Sequence, residues 1–443
     1  MASTYISRTP SSAGNRKKYT LSFWIKRSST TVAQYFFHCA AGESNPQTAI
    51  EMNTNGTISF WDSTSIMVTP IASLRDVTAW YHIVIAVDTT QSTNSNRVKF
   101  YVNGVQQTTF STASGKTLVY PAADYEGAIN TTVKHTIGAY NNTSGHYNGL
   151  VSHFHFIDGT AYAASDFGET DSTTGQWKIK TSPSVTYGTN GFFILKDGNS
   201  LTDASANSNN FALGAGTLTD LKDNPSDNFC IINPYYYQTG GEGVVINNCG
   251  NTVYYAANSS RSAFGSIAPS SGKYYFEAKV FSGTGTVVIG IVNMAWQDLN
   301  KASAYAYHDH ALNFGYNVSG QKTSGGTNTA YGANIADNDI IGVAMDLDNS
   351  KLYFSVNGVF QGSGVPTSGA SGTNAAFTLA SGANYTAACR LRNGTQVGFN
   401  FGNGQYSGSN VVASEGTNAS GTGKFEYDVP TGYTALSTKG LNI

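Results

Sequence analysis

The sequence predicts an all-β protein built of two antiparallel β-sandwiches in tandem, with very little helix. Three observations carry that prediction. A nine-residue signature occurs twice, as Arg97-Val98-Lys99-Phe100-Tyr101-Val102-Asn103-Gly104-Val105 and as Lys351-Leu352-Tyr353-Phe354-Ser355-Val356-Asn357-Gly358-Val359. Each copy alternates apolar and polar residues and runs into Asn-Gly, the pair that tolerates positive φ at both central positions of a type I′ hairpin turn. The composition has 48 Gly, 27 Tyr and 23 Phe beside only 12% charged residues, which suits many short strands and tight turns. No stretch shows the i, i+3, i+4, i+7 apolar spacing of an amphipathic helix. The 443 residues accommodate two sandwiches, each of which can run to about 200–250 residues.

Residues 1–165 read as the first sandwich. Tyr19 to Lys26 alternates as a strand. Ala49 to Met52 and Thr57 to Trp61 flank an Asn55-Gly56 turn, another hairpin. Trp80 to Asp88 is a more apolar strand that precedes the first signature copy, and Thr136 to Ala139 and Gly149 to Ile157 are late strands. Residues 166–240 change texture. Acidic turn residues precede Phe192 to Leu195, a polar run follows from Asp203 to Asn210, and Asp223 to Phe229 with Asn233-Pro234 look like a connector. The region is expected to be a strand-bearing extension of the first sandwich. Residues 241–443 read as the second sandwich. Lys273 to Val280 alternates, with Tyr274, Phe276, Ala278 and Val280 inward and Tyr275, Glu277 and Lys279 outward. Val287 to Ile291 reads as buried on both faces, Ile340 to Asp348 precedes the second signature copy, Gln396 to Phe401 is a strand, and Thr431 to Leu436 closes the domain. The Gly-, Ser- and Thr-rich stretches 319–329 and 362–374 read as loops.

A formal net charge of −2 argues against broad electrostatic binding to nucleic acid or to an anionic membrane. No run of eighteen apolar residues is present, so no membrane insertion is expected. Arg8, Arg16, Lys17 and Lys18 lie near the start with no apolar h-region, so no secretory signal is expected. Cys39, Cys230, Cys249 and Cys389 are widely spaced and are expected to be free thiols, with a Cys230–Cys249 bridge as the alternative.

Leu21-Ser-Phe-Trp24, Trp80-Tyr-His82, Asp88 and Phe100-Tyr-Val-Asn-Gly104 resemble a laminin-G/pentraxin-type member of the concanavalin A-like jelly rolls. Gly272-Lys-Tyr-Tyr-Phe-Glu277, Ile289-Gly-Ile291, Asp339-Ile-Ile-Gly342, Asp346-Leu-Asp348, Leu352-Tyr-Phe354, Asn357-Gly358 and Phe399-Asn-Phe-Gly402 resemble a SPRY domain, also a concanavalin A-like sandwich. A narrower resemblance lies in Phe156-Ile-Asp-Gly159, Asp166-Phe-Gly-Glu169, Thr174-Gly-Gln-Trp177, Tyr187 to Phe192 and Asp227-Asn-Phe229. These look like connecting sequence in virion proteins of tailed bacteriophages. That resemblance implies a virion location, other virion proteins as partners, and a homo-oligomer that is trimeric if the protein is a fibre.

Catalytic spacing is sparse. G-x-S-x-G, H-E-x-x-H and G-x-G-x-x-G are absent, and Gly115-Lys116-Thr117 lacks the upstream glycine of a phosphate cradle because position 110 is Phe. No strand carries the alternating carboxylates of concanavalin-like glycosidases. An enzyme is therefore not expected, and no cofactor is required. His153 and His155 share a strand face and read as its polar solvent side, with no third metal ligand identifiable; His308-Asp309-His310 reads as an exposed loop. Asp158, Asp166, Glu169 and Asp171 form a denser oxygen cluster. Turn capping is its plainer reading and calcium binding its functional one, since laminin-G and pentraxin relatives often bind calcium at a rim. Candidate ligand contacts are Trp296, Tyr305, Tyr307, His308 and Asp309 in one loop, and Tyr140, Asn142, His146 and Tyr147 in another. Aromatic rings stack on the apolar faces of sugars while neighbouring polar groups bond the hydroxyls. The expected function is attachment to a host cell-surface glycan as a tail-fibre or receptor-binding component. A head-decoration or tail-assembly subunit is the alternative, because neither an N-terminal anchor nor a fibrous shaft is visible. A polysaccharide depolymerase is the third reading.

Overall fold

The computed structural model describes residues 4–28, 32–40, 46–141, 144–196, 198–237, 244–247, 249–282, 287–295, 311–408 and 410–441. The chain divides into two units, residues 1–220 and 221–443. Both are built of β-sheets, and among the described residues helix is limited to short 3₁₀ turns such as Asn94–Asn96 and Pro366–Ser371.

The strands of the first unit are β1 (Tyr5–Arg8), β2 (Lys18–Arg27), β3 (Gln34–Ala40), β4 (Gln47–Met52), β5 (Ile58–Asp62), β6 (Ile66–Val68), β7 (Tyr81–Asp88), β8 (Val98–Val102), β9 (Val105–Gln106), β10 (Lys134–Ile137), β11 (Gly149–Asp158), β12 (Gly168–Thr170), β13 (Trp177–Ile179), β14 (Phe192–Ile194) and β15 (Ala212–Ala215). They form a seven-stranded sheet in the order β15-β1-β10-β3-β4-β5-β6 and a six-stranded sheet in the order β14-β11-β2-β7-β8-β9. The core lies between the two. Leu21, Phe23 and Ile25 of β2 and Ile83, Ile85 and Val87 of β7 share one cluster with Phe37, Ile50 and Phe60 of the other sheet. Each such side chain contributes about 1.5–3 kcal/mol by leaving water.

The second unit contains β16 (Ile232–Tyr237), β17 (Val245–Asn247), β18 (Thr252–Tyr255), β19 (Arg261–Gly265), β20 (Lys273–Ser282), β21 (Val288–Asn293), β22 (Asn313–Asn317), β23 (Gln321–Ser324), β24 (Thr327–Ala330), β25 (Ile340–Asp346), β26 (Lys351–Val356), β27 (Val359–Phe360), β28 (Phe377–Thr378), β29 (Tyr385–Leu391) and β30 (Thr395–Asn400). One sheet runs β16-β19-β29-β21-β22-β23-β24 and the other β17-β18-β30-β20-β25-β26-β27. Entry and exit of the unit are zipped together: Cys230 N donates to Leu436 O at 2.9 Å and Thr438 N to Asn228 O at 3.0 Å.

The repeated signature forms the same hairpin in both units. Asn103 and Gly104 have φ of 47° and 80°, and Asn357 and Gly358 have φ of 49° and 80°, as a type I′ turn requires. In each, the asparagine Oδ1 accepts from the backbone at the start of the preceding strand, from His82 N at 2.8 Å and from Ile340 N at 2.9 Å. At the far end of that strand an ion pair joins its neighbour on the other side, β2 or β20, through Lys18–Asp88 at 3.4 Å and Lys273–Asp346 at 3.0 Å. Asp346, not Asp348, is thus the structural counterpart of Asp88.

The structure departs from the sequence expectations at several places, four of them in the layout of strands and layers. Residues 166–240 are divided at 220: β14 pairs with β11 and β15 with β1 in the first unit, whereas β16 pairs with β19 in the second. The Asn55-Gly56 link is a five-residue loop closed by Asn53 and Thr57, and only Gly56 has positive φ. The stretch 319–329, expected as a loop, holds the β23–β24 hairpin, turned by Gly325 and Gly326 at φ 57° and 72°. All four residues of β24 are exposed, so it lacks the apolar alternation by which a strand is recognised.

The fourth departure is the histidine face of β11. His153 and His155 are buried, not solvent-facing. Ala164, Phe167, Tyr162, Trp177, Val185 and Tyr187 pack over the outer side of the six-stranded sheet. The His155 ring lies 3.9 Å from that of Phe193, and its Nδ1 pairs with the Tyr187 hydroxyl at 2.8 Å. The segment after residue 160 thus supplies a third layer. In the second unit the tail does the same: Phe425, Val429 and Tyr433 cover Tyr275, Ala344 and Tyr353. All four cysteines are free thiols, three of them buried.

Candidate ligand-binding site

With one face of the six-stranded sheet in the core and the other covered, the outer face of the seven-stranded sheet is where the first unit gathers aromatic and polar side chains. Alternation places them. Ile50, Met52, Phe60 and Phe37 enter the core, so the residues between them project outward. Tyr35 stands opposite Glu51, and Trp61 opposite Ala49. Trp61 Nε1 donates to Glu51 Oε2 at 3.2 Å, and Lys116 Nζ pairs with the same oxygen at 3.1 Å. Lys116 arrives on a segment that extends the sheet beyond β6, where Met67 and Val119 exchange backbone bonds of 2.9 and 2.8 Å.

Tyr140 completes the group. Its ring lies 4.9 Å from Tyr35 and 4.5 Å from His38, and its hydroxyl donates to Gln47 Oε1 at 3.0 Å. His38 Nε2 lies 3.1 Å from the same Gln47 oxygen, and Asn141 N points at His38 Nδ1 from 3.3 Å. That pair of bonds assigns the neutral ring with its proton on Nε2, and burial lowers its pKa. Burial, with Glu51 and Tyr140 adding to it, pushes the Tyr35 hydroxyl up to about 12. Tyr35 therefore keeps its proton and stays a donor over the physiological range. The face presents half-buried Tyr35, Trp61 and Tyr140 beside one carboxylate, one ammonium and one amide.

Of the sequence candidates, Tyr140 belongs to this face. His146 lies beside it, its ring 6.4 Å from Tyr5, and its Nε2 is buried without a hydrogen-bond partner. Tyr147 belongs to the core instead: its ring is 4.6 Å from Phe36 and its hydroxyl donates to Lys26 O at 2.8 Å. Asn142, and the whole set Trp296, Tyr305, Tyr307, His308 and Asp309, lie outside the described residues. Tyr35, Glu51, Trp61 and Lys116 were not singled out from the sequence. Their outward register on β3, β4 and β5 was the available signal, but nothing local says which of two sheet faces stays open.

The four carboxylates considered for calcium are all engaged by N–H donors, Glu169 and Asp171 sharing the Lys178 ammonium at 3.3 Å. Asp158 accepts from Asn15 N at 2.7 Å, Asn130 Nδ2 at 2.7 Å and Asn190 N at 3.0 Å. Asp166 caps Ala163 N at 2.9 Å, Glu169 pairs with Lys178 at 3.3 Å, and Asp171 accepts from Thr173 N and Thr174 N at 2.9 Å. Calcium needs converging oxygens, whereas here the carboxylates meet N–H donors. Among the described residues no group of three His, Cys, Asp or Glu gathers as a metal site.

Besides the sequence-adjacent Ser152 Oγ and His153 Nδ1 at 2.7 Å, one serine–histidine pair is seen among the described residues, Ser22 Oγ and His82 Nε2 at 2.8 Å. Both are fully buried, and burial lowers the His82 pKa to about 3. Trp177 Nε1 donates to His82 Nδ1 at 3.0 Å, and indole nitrogen only donates, so His82 carries its proton on Nε2 and gives it to Ser22. That polarity is the reverse of a general base activating a nucleophile.

The comparisons with known proteins agree with this architecture. Residues 2–165 match the family model of the concanavalin A-like lectin/glucanases superfamily, and residues 273–404 match that of the SPRY domain. No curated protein matches the chain. Among solved structures, the SPRY domain of human HERC1 is 14% identical, over 38% of this chain and 96% of that one, with a TM-score of 0.29. Stonustoxin is 13% identical over 39% of this chain and 27% of its own, with a TM-score of 0.30. A native heptameric SAP-like pentraxin from Limulus polyphemus is 14% identical over 36% and 71%, with a TM-score of 0.26. The assignment of a concanavalin A-like domain followed by a SPRY domain rests on the two family models.

Proposed function

We propose, from a concanavalin A-like domain followed by a SPRY domain, that this chain is a non-enzymatic surface protein of a tailed-bacteriophage particle. Its role is that of a tail-fibre or receptor-binding component that attaches to a host cell-surface glycan. The observation that carries the binding reading is the Tyr35–Glu51–Trp61–Tyr140 face, where rings able to stack on a sugar stand beside bonding partners for its hydroxyls. The virion reading is supported by the connecting sequence between Phe156 and Phe229. A single face of this kind binds weakly, and repetition in a homo-oligomer, trimeric in a fibre, multiplies it through effective concentration. No cofactor is required.

The test is adhesion of the full chain to cells and to a glycan array, beside Trp61→Ala. Saturable binding lost in the variant is the expected result; absence of adhesion at every multivalency would overturn the proposal. One observation favours a second reading, docking on other virion proteins as a decoration or assembly subunit. Val105 and Val359 occupy the same position after the two Asn-Gly turns and are 64% and 67% exposed. Localising the chain within an intact particle separates the two. The depolymerase reading would need release of reducing sugar from envelope polysaccharide.

A further inference from the structure

We infer that the outer face of the seven-stranded sheet selects a neutral hexopyranose unit and rejects uronic and sialic acids; this rests on the proposed glycan attachment. The reason lies in how its single carboxylate is held. Glu51 Oε2 takes both local donors, Trp61 Nε1 at 3.2 Å and Lys116 Nζ at 3.1 Å. Oε1 takes none among the described residues, and the carboxylate and ammonium cancel each other's charge. A sugar hydroxyl both donates and accepts. It can therefore give its proton to Glu51 Oε1 while its lone pairs face a remaining Lys116 proton or the Tyr35 hydroxyl. A sugar carboxylate only accepts, so it meets Lys116 but also the like charge of Glu51. Repulsion of this kind discriminates more strongly than a missing contact does. The Tyr35 and Trp61 rings accept the C–H face of a pyranose whatever its charge, so they add affinity and leave the selectivity to Glu51.

Neither Tyr35 nor His38 changes protonation between pH 7 and pH 9. Tyr35 is raised to about 12, and burial moves His38 downward, away from neutral pH. Neither group should therefore make neutral-sugar binding vary from pH 7 to pH 9.

The experiment measures full-chain binding to immobilised dextran and mannan, as neutral polymers, and to hyaluronan and polysialic acid, as acidic ones, at two salt concentrations. Binding to a neutral polymer is expected, at least tenfold tighter than to either acidic one. Glu51→Gln should weaken neutral binding by roughly 10–100-fold, the loss of a hydrogen bond to a charged group, and should narrow the discrimination against acidic polymers. Lys116→Gln, on an exposed segment, should also weaken neutral binding while leaving the melting temperature unchanged, which separates binding from folding. Acidic-polymer binding that is stronger than neutral and is abolished by Trp61→Ala would overturn the selectivity while leaving glycan attachment at this face standing. Absence of binding to all four polymers and to whole cells would overturn both.

Discussion

At the residue scale, the second unit turns on Glu277. It is fully buried on β20, and its carboxylate accepts from Glu426 N at 3.0 Å and Tyr427 N at 2.9 Å, with Tyr406, Tyr275 and Asn400 also directed at it. Desolvation raises its pKa, and the donors only partly oppose this. Glu277→Ala would orphan two backbone N–H groups and several side-chain donors at once. The expected loss is more than about 3 kcal/mol, read as a shift of the urea midpoint at pH 7. Glu277→Gln keeps one acceptor and should lose less. The sequence showed Glu277 only as an outward strand position; its burial depends on a tail that arrives about 150 residues later.

At the element scale, the two Asn-Gly hairpins share more than their turns. Gly104 and Gly358 each sit beneath an aromatic ring from the covering layer, Trp177 and Tyr427 respectively, and a methyl group on either glycine would enter that ring. Both have φ near 80°, so alanine also adopts a backbone it avoids. Gly104→Ala and Gly358→Ala should each cost about 1–3 kcal/mol by thermal melting, the first within residues 1–220 and the second within 221–443. Asn103→Ala should cost about 1 kcal/mol, by removing the bond to His82 N. Strands with strong alternation, β2, β8, β20 and β26, were legible in the sequence. β15 and β24 were not, because edge strands with exposed residues carry no apolar period.

At the scale of the whole molecule, the two units should respond unequally to acid. Six of the eight histidines fall in residues 1–220. Burial lowers His82 to about 3 and His135 to about 4, and moves His155 well below its ordinary value. A depressed folded pKa means that protons bind the unfolded chain first. The stability this neutral state supplies is complete above the unfolded value near 6.5 and falls as pH drops toward the folded values. In the second unit Glu277 and Asp227 are raised by desolvation, so their contribution is present at low pH and declines as pH rises. Calorimetry should show the melting of residues 1–220 falling by more than about 10 °C between pH 7 and pH 4.5, with a smaller change in 221–443. Equal shifts in both units would contradict this assignment.

Period-two alternation and the Asn-Gly pairs determined by themselves that the chain forms sandwiches, where the two signature hairpins turn, and which residues of β8 and β20 point inward. Such information is local, because a strand's facing and a turn's φ depend on adjacent residues. Only the tertiary structure decided which outward faces meet solvent. The segment after residue 160 and the tail after residue 411 bury His155 and Glu277, while Tyr35 and Trp61 remain accessible. Covering a sheet is a contact between positions far apart in the chain, and no window of neighbouring residues encodes it.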